Sequence, residues 1–176
     1  MPPHVYLLGS GHADMAIRLN DAEISRLLAE RQPLPLDYRE RIQTKPKRGH
    51  KERELDVKGA DGSEFRLILR QSEFNLLDFS VILAYRLPKS NQFFRLRRYN
   101  GKSHEHTNTL EGRTFYDFHI HMATERYQDE SGLREDCYAE PTKRFVDYHG
   151  AIRSMLGDCG FDVPLDMQGT LFEEDI

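Results

Sequence analysis

The residues Thr114 to Met122 read Thr-Phe-Tyr-Asp-Phe-His-Ile-His-Met, and this stretch decides the fold that the sequence predicts. Its apolar side chains recur at every second position, which indicates a β-strand with one buried face. The apolar set is Tyr116, Phe118, Ile120 and Met122, and the alternate set is Phe115, Asp117, His119 and His121. Because alternate residues of a strand share a face, we expect both histidines opposite the core, beside Asp117.

Similar patterns lie upstream and predict a mostly antiparallel sheet of about five strands between residues 52 and 123. The apolar run from Phe79 to Tyr85 has no polar face and indicates a central strand. Before the sheet, Asn20 and Glu23 form a capping-box pattern that begins an N-terminal helix. After it, Pro141 fits the first turn of an amphipathic C-terminal helix. The predicted fold class is therefore α+β, with both helices on one face of the sheet.

The chain divides into one domain and two tails. Residues 1–19 contain a flexible Gly-Ser-Gly joint and are predicted as a tail or tag, residues 20–164 as a single α+β domain, and residues 165–176 as an acidic tail. Residues 36–50 are polar and basic and indicate a connector. With 176 residues, 31 % charged and 38 % hydrophobic, the chain is too apolar for a disordered protein.

Location is predicted from what the sequence does not contain. No apolar run approaches the ~20 residues of a membrane span, and the first residues lack the basic segment of a signal peptide. We therefore expect a cytoplasmic protein without membrane contact. Cys137 and Cys159 match no metal or redox spacing and are expected to be free thiols.

Charge is distributed unevenly along the chain. The net charge of −4 argues against a general DNA-coating protein. Residues 86–102 nevertheless carry six basic side chains and no acid, and residues 45–53 carry five basic side chains and one acid. A locally basic surface on an acidic chain is typical of binding to a specific anionic ligand, although an ordinary solvated face has the same composition.

Four of the eight histidines form two His-x-His pairs around one predicted turn: His104, His106, His119 and His121. Imidazole changes charge near neutral pH and is the commonest metal ligand. The first interpretation is a metal-independent endoribonuclease without a cofactor, because RNA cleavage needs a base, an acid and cations beside the phosphate. Its proton-transfer candidates are His106, His119 and His121, its phosphate-binding candidates are Arg95, Arg97, Lys102 and Arg126, and its supporting candidates are His104, Asp117, Tyr99, Tyr127 and Glu125.

Two other functions use the same residues. A non-catalytic nucleic-acid-binding or regulatory module would use aromatic and basic side chains to hold bases and backbone. A metal-dependent hydrolase would bind Zn²⁺ through His104, His106, His119 and His121. A purely structural role, with the histidines satisfied by nearby acids and backbone oxygens, is the remaining alternative. The sequence fixes neither the oligomeric state nor a protein partner such as an antitoxin.

Two strings in this region carry a resemblance. RLRRYNGKSHEHTN at residues 95–108 and FHIHMATERYQ at residues 118–128 resemble a family of small uncharacterised bacterial proteins with a domain of unknown function. The resemblance covers residues 20–164. It implies a bacterial or phage setting, such as a toxin–antitoxin or phage-defence system, and it implies no catalytic roles.

Overall fold

A computed structural model describes residues 17–130 and 132–163. In chain order the elements are α1 (Asp21–Ala29), β1 (Gln32–Pro33), α2 (Tyr38–Arg41), β2 (Gln43–Lys47), β3 (His50–Lys58), β4 (Glu64–Ser72), β5 (Phe79–Arg86), β6 (Phe93–Asn100), β7 (His106–Asn108), β8 (Arg113–Phe115), β9 (His119–Met122), α3 (Glu125–Gln128), β10 (Tyr138–Pro141), α4 (Tyr148–Asp158) and β11 (Phe161–Asp162). Seven strands form an antiparallel sheet in the order β10-β9-β6-β5-β4-β3-β2. The predicted α+β class and antiparallel sheet are confirmed, but the sheet has seven strands instead of about five.

The two additional strands lie at the edges of the sheet. All residues of β2 are exposed and Pro46 lies within it, so pairing with β3 holds the strand without any buried side chain. Strand β10 ends at Pro141, which is compatible with an edge strand. The predicted connector over residues 36–50 and the predicted helix start at Pro141 are therefore wrong. Helix α4 begins later, where the Asp147 side chain accepts a hydrogen bond from Gly150 N.

The core lies between one face of the sheet and helix α4, which packs on β5 and β6. Val81, Leu83 and Leu96 are completely buried there. Met155 of α4 and Leu27 of α1 belong to the same buried cluster. Each such side chain contributes about 1.5–3 kcal/mol when fully buried. This packing fixes β6, and β6 in turn positions β9.

A β-bulge in β6 changes which side chains face the core. Ala84 of β5 lies opposite Arg95, and the preceding residue, Leu83, lies opposite Arg97. Leu96 is the extra residue, and such a residue locally breaks the alternation of a strand. Leu96 and Arg97 therefore both face the helix side, and Arg98 faces the other side. The expectation that Arg97 lies with the histidines is wrong for this reason.

The stretch from Thr114 to Met122 does not form one continuous strand. Its first part belongs to β8, which pairs with β7, and its second part is β9, which pairs with β6 and β10. Between them Phe118 packs against Phe79 and Phe145 of the core. The chain therefore turns at this aromatic anchor, and β8 leaves the plane of the main sheet.

Cross-strand ion pairs neutralise much of the charge on the face opposite the core. Lys47 Nζ lies 2.6 Å from Glu52 Oε2, and Arg66 Nε lies 2.6 Å from Asp56 Oδ1. Arg86 Nε lies 2.7 Å from Glu64 Oε2. Each exposed pair of this kind stabilises the fold by only about 0–1 kcal/mol. Their main consequence is that part of the predicted basic surface is not available to an anionic ligand.

The remaining sequence predictions concern the thiols, the tails and membranes. Cys137 and Cys159 are free, as predicted. Residues 1–16 and the tail predicted over 165–176 lie outside the described residues. Leu19, assigned by sequence to the N-terminal tail, is 8 % exposed and packs in the core. In the described ranges, every helix is too short or too polar to cross a bilayer.

The capping box of α1 gives a first testable prediction. Asn20 Oδ1 accepts from Glu23 N at 2.8 Å, and Glu23 Oε2 accepts from Asn20 N at 2.8 Å. We expect Asn20→Ala to lower the free energy of unfolding by about 1 kcal/mol, because the N–H of Glu23 loses its side-chain acceptor and the capping box is broken. Urea denaturation measures the change. Asn20→Asp keeps the acceptor and should match the wild type, and an unchanged Asn20→Ala protein would contradict the prediction.

Candidate metal centre

The β7–β8 hairpin lies over the open face of the sheet and brings three histidines together. The ring centroids of His106 and His121 are 4.7 Å apart, those of His119 and His121 4.9 Å, and those of His106 and His119 5.3 Å. One ring nitrogen of each histidine lies within 4.8 Å of the others. Three of the four histidines singled out by the sequence therefore meet at one point.

Asn108 anchors the hairpin to the sheet. Its Oδ1 accepts from Ala139 N at 2.9 Å, and its Nδ2 donates to Ala139 O at 2.8 Å. The side-chain amide thus pairs with the outer edge of β10 as a neighbouring strand would. Because a backbone N–H only donates, these contacts also fix which amide atom is the oxygen. That oxygen is the atom that meets His106.

Each of the three imidazoles donates one N–H to an oxygen. His106 Nε2 donates to Asn108 Oδ1 at 3.0 Å, His119 Nδ1 to Asp117 O at 2.7 Å, and His121 Nδ1 to Asp136 O at 2.8 Å. All three oxygens are acceptors only, so the second nitrogen of each neutral ring carries a lone pair. Metal-ligating histidines almost always have an acceptor of this kind on the other ring nitrogen.

Asn100 lies against two of these lone pairs. Its Nδ2 is 3.3 Å from His121 Nε2 and 3.5 Å from His119 Nε2. Its Oδ1 accepts from the Ser80 hydroxyl at 2.8 Å. A hydroxyl can donate or accept, so Ser80 is compatible with either orientation of the amide. The amide can therefore present either its nitrogen or its oxygen to the two imidazoles.

Burial lowers the pKa of all three histidines. It lowers the pKa of His119 to about 4, with the nearby His106 and His104 adding to the effect. It lowers the pKa of His121 further still, with Arg98 as the next cause, and lowers the pKa of His106 as well. The rings are therefore neutral at neutral pH, which is the form that binds metal ions. A general acid would need a protonated ring.

A buried ion pair between Arg98 and Asp136 lies next to His121. Arg98 Nε lies 2.9 Å from Oδ2 of the fully buried Asp136, although these atoms are not aligned for a hydrogen bond. Arg98 Nη2 is 3.2 Å from His121 Nδ1, which already donates to Asp136 O, so that contact is electrostatic. Burial lowers the pKa of Arg98, and the charge of Asp136 acts in the opposite direction. Asp136 thus orients His121 and balances the charge of Arg98.

His104 and Phe115 border the cluster. The His104 ring is exposed, and its centroid lies 5.6 Å from that of His119. The Phe115 ring lies 5.4 Å from His106 and 5.6 Å from His119. His104 does not belong to the set of three close ring nitrogens. The exposed His104 and the half-buried His106 therefore mark the solvent side of the cluster.

The other residues predicted from strand alternation are distributed over two faces. Tyr99 is fully buried and donates to Asp158 Oδ2 at 2.7 Å, so it cannot stack on a ligand. Arg97 lines a cavity of about 210 Å³ beside Asp158 on the helix side. Arg95 is on the histidine side but three positions along β6 from Arg98. The expected arginine pair is therefore absent from the cluster, and Arg98 lies there instead.

The predicted residues around the hairpin make contacts of their own. Lys102 Nζ lies 3.5 Å from Asp117 Oδ1, so the exposed Asp117 contributes only its backbone oxygen to the cluster. Arg126 forms an ion pair with Glu111, and the buried Tyr127 donates to the same carboxylate at 2.6 Å. Glu125 is exposed at the start of α3. In the described part of the chain, none of these side chains hydrogen-bonds to the three imidazoles.

Sequence reasoning missed four residues of the centre: Arg98, Asn100, Asn108 and Asp136. A signal exists for three of them. Asn108 follows His106 by two positions, and residues two apart share a face of a strand. In β6, Phe94 and Leu96 are two positions apart, but the next core residue, Tyr99, follows after three positions. This break in the alternation is the sequence signal of the β-bulge, which puts Arg98 and Asn100 on the histidine side. Asp136 is fixed by a loop contact that leaves no pattern.

No protein family, curated protein or solved structure matches this chain. The resemblance to a family of small bacterial proteins therefore stays a prediction.

Proposed function

We propose that the protein is a metal-dependent hydrolase whose centre is formed by His106, His119 and His121. The observation that carries the proposal is the arrangement of the rings: each ring donates one N–H to a fixed oxygen, and one nitrogen of each ring lies within 4.8 Å of the others. Imidazole nitrogens suit Zn²⁺ and several other first-row ions. Zn²⁺ is the ion that we expect.

A hydrolytic role follows from the number of ligands. Structural zinc sites are usually closed by four protein ligands, whereas catalytic sites have three and keep one position for water or substrate. Such an ion lowers the pKa of a bound water and polarises a carbonyl or phosphoryl oxygen. The exposed His104 lies on the solvent side, where it can exchange protons with a substrate. We assign it that role instead of the fourth-ligand role considered from the sequence.

Asn100 allows the centre to exist with and without the ion. Without it, Nδ2 donates to the lone pairs of His119 and His121. A cation held by the three imidazoles would take up these lone pairs, so the amide would turn its oxygen towards the water in the open position, and the Ser80 hydroxyl could then accept from Nδ2. The hydrogen-bonding groups of the metal-free centre therefore have partners, and loading includes a rotation of this amide.

The metal-independent endoribonuclease remains a prediction with less support from the geometry. It requires one protonated and one neutral histidine near pH 7, whereas burial lowers the pKa of all three rings. It also requires cations at the phosphate, whereas Arg97 faces the helix side and Lys102 pairs with Asp117. A cytoplasmic location and a bacterial or phage setting likewise remain proposals.

Metal retention tests the centre directly. After loading with Zn²⁺ and desalting, we expect about one ion per chain in the wild type by elemental analysis. In His119→Ala the loss of affinity should exceed the ~10- to 100-fold that is typical of a lost outer-shell partner. The matched control is His149→Ala, which removes a half-buried histidine of α4 outside the cluster. The proposal is wrong if the wild type retains no more zinc than His119→Ala.

Hydrolysis tests the proposed reaction. The zinc-loaded protein should cleave an activated phosphodiester or RNA, lose this activity in EDTA and regain it with Zn²⁺. RNA cleavage that persists in the metal-free protein would instead support the metal-independent endoribonuclease. Retained zinc without hydrolysis of either substrate would leave a metal-binding protein and contradict the hydrolase.

A further inference from the structure

The residues that line an open cleft of about 680 Å³ at the β2–β3 hairpin include five lysines and arginines, one histidine and one acid. They are Lys45, Lys47, Arg48, Lys51, Arg53, His50 and Glu73. Lys45 and Lys47 are paired with glutamates of β3. Among residues 17–130 and 132–163, Arg48 and Lys51 have no ion-pair partner. The cleft therefore keeps a positive charge that the cross-strand pairs do not neutralise.

An exposed aromatic ring lies at the rim of this basic cleft. Phe74, in the loop between β4 and β5, is 87 % exposed. Its ring lies against the β2–β3 turn, because a Cβ added to Gly49 would be 3.1 Å from Phe74 Cε2. Glu73 N also donates to Gly49 O at 3.0 Å, which ties the two loops together. The ring is thus held in solvent against the turn that carries Arg48 and leads into Lys51.

A chain of polar contacts links the cleft with the histidine cluster along one end of the sheet. His50 Nε2 lies 3.4 Å from Asp78 Oδ2, and the Ser103 hydroxyl lies 3.3 Å from Asp78 Oδ1. Ser103 Oγ is 3.2 Å from His104 Nδ1, and the His104 ring borders His119. From β3 to β9 there are four strand spacings, or about 19 Å. A single-stranded segment within the ~4–16 nucleotides of common binding sites spans that distance.

We propose that the basic cleft and Phe74 form a docking surface for single-stranded nucleic acid. Phosphates lie on Arg48 and Lys51, a base stacks on Phe74, and the strand runs towards His104. Stacking on an aromatic side chain together with a positively charged groove is how single-strand platforms bind. The proposal names the substrate class of the proposed hydrolase and rests on that function for cleavage, whereas docking does not need the metal ion.

The charges around Phe74 favour nucleic acid over a membrane surface. Leu76 is also exposed, so the loop has an apolar tip. Glu73 and Asp78 flank that tip, and two carboxylates make its insertion into an anionic headgroup layer unfavourable. A base, by contrast, needs only the face of the ring. A duplex keeps its bases stacked inside and cannot use the ring in this way.

Fluorescence anisotropy with labelled RNA and DNA oligonucleotides of about 12 residues, in EDTA, tests the docking surface. We expect Phe74→Ala to weaken binding about 5- to 100-fold, while Phe74→Tyr retains it. We expect Arg48→Ala/Lys51→Ala to reduce the slope of log K against log salt by about 1.4, or ~0.7 per lost phosphate contact. Lys143→Ala/Arg153→Ala removes the same charge at exposed positions elsewhere and should leave the slope unchanged.

The outcomes separate this proposal from its alternatives. Binding of either oligonucleotide with dependence on Phe74 and the two cations supports it, and the tighter of RNA and DNA names the substrate. It is overturned by equal binding in all variants, by equally tight binding of duplex, or by Phe74-dependent binding to anionic vesicles without oligonucleotide binding. Zinc retention without oligonucleotide binding overturns docking alone, and oligonucleotide binding without zinc retention overturns the metal centre alone.

Discussion

In the Asn108→Leu protein, the β7–β8 hairpin is expected to detach from the main sheet. The substitution keeps a similar volume but leaves Ala139 N, Ala139 O and His106 Nε2 without the partner that each now has. An unsatisfied buried donor or acceptor costs about 1–3 kcal/mol. We expect the free energy of unfolding of the metal-free protein to fall by about 2–5 kcal/mol, measured by urea denaturation in EDTA.

Metal affinity should fall in the same variant. Loss of the oxygen that orients a ligating histidine typically weakens metal binding about 10- to 100-fold, which a competition titration with a chromophoric chelator measures. Thr107→Ala is the matched control, because Thr107 lies in the same short strand but is exposed. Wild-type stability and zinc affinity in Asn108→Leu would show that the hairpin is held by other contacts.

The second large effect is expected from Arg98→Met. Removing the guanidinium leaves the carboxylate of Asp136, which is completely buried, without its counter-charge. Breaking a buried ion pair from one side costs about 3–5 kcal/mol. Arg95→Met is the matched control, since Arg95 lies on the same strand, is half-buried and has no carboxylate partner for its side chain in the described part of the chain.

The double variant Arg98→Met/Asp136→Leu separates charge from packing. A buried pair replaced on both sides by apolar residues is often neutral or stabilising, so we expect most of the lost stability to return. The backbone oxygen of Asp136, which accepts from His121 Nδ1, is kept in this variant. Equal destabilisation in the single and double variants would show that packing, and not an isolated charge, is what Arg98 supplies.

The strands that the sequence predicts are those whose side chains enter the core. Strand β5 has apolar residues on both faces, and the hairpin that leads into β4 has a glycine-rich turn. Both strands can therefore be predicted from the sequence. Strand β2 has only exposed side chains, and β10 spans just Tyr138–Pro141. Backbone pairing holds such edge strands, and backbone pairing leaves no pattern of side chains.

The sequence was sufficient to predict that the histidines cluster, but not which of them are neutral or how their rings are oriented. Two His-x-His pairs around a turn indicated where the rings meet. Their charge state depends on burial under the hairpin, and their orientation depends on Asn108 and on the backbone oxygens of Asp117 and Asp136. Because of the bulge at Leu96, Arg98 lies on the histidine side of the sheet, where Arg97 was expected. One inserted residue thus changed which cation accompanies the imidazoles.

In the proposed zinc centre, the closeness of the three histidines in the chain would affect how the ion stabilises the fold. His106 and His121 are only 15 positions apart, so closing the loop between them in the unfolded chain costs about 2–3 kcal/mol. The denatured chain therefore also chelates zinc, and such binding reduces the stabilisation that a ligand gives to the native state. A small rise in melting temperature on zinc addition is compatible with tight native binding. If the centre binds zinc as proposed, the newly synthesised polypeptide could acquire the ion first and fold around it afterwards.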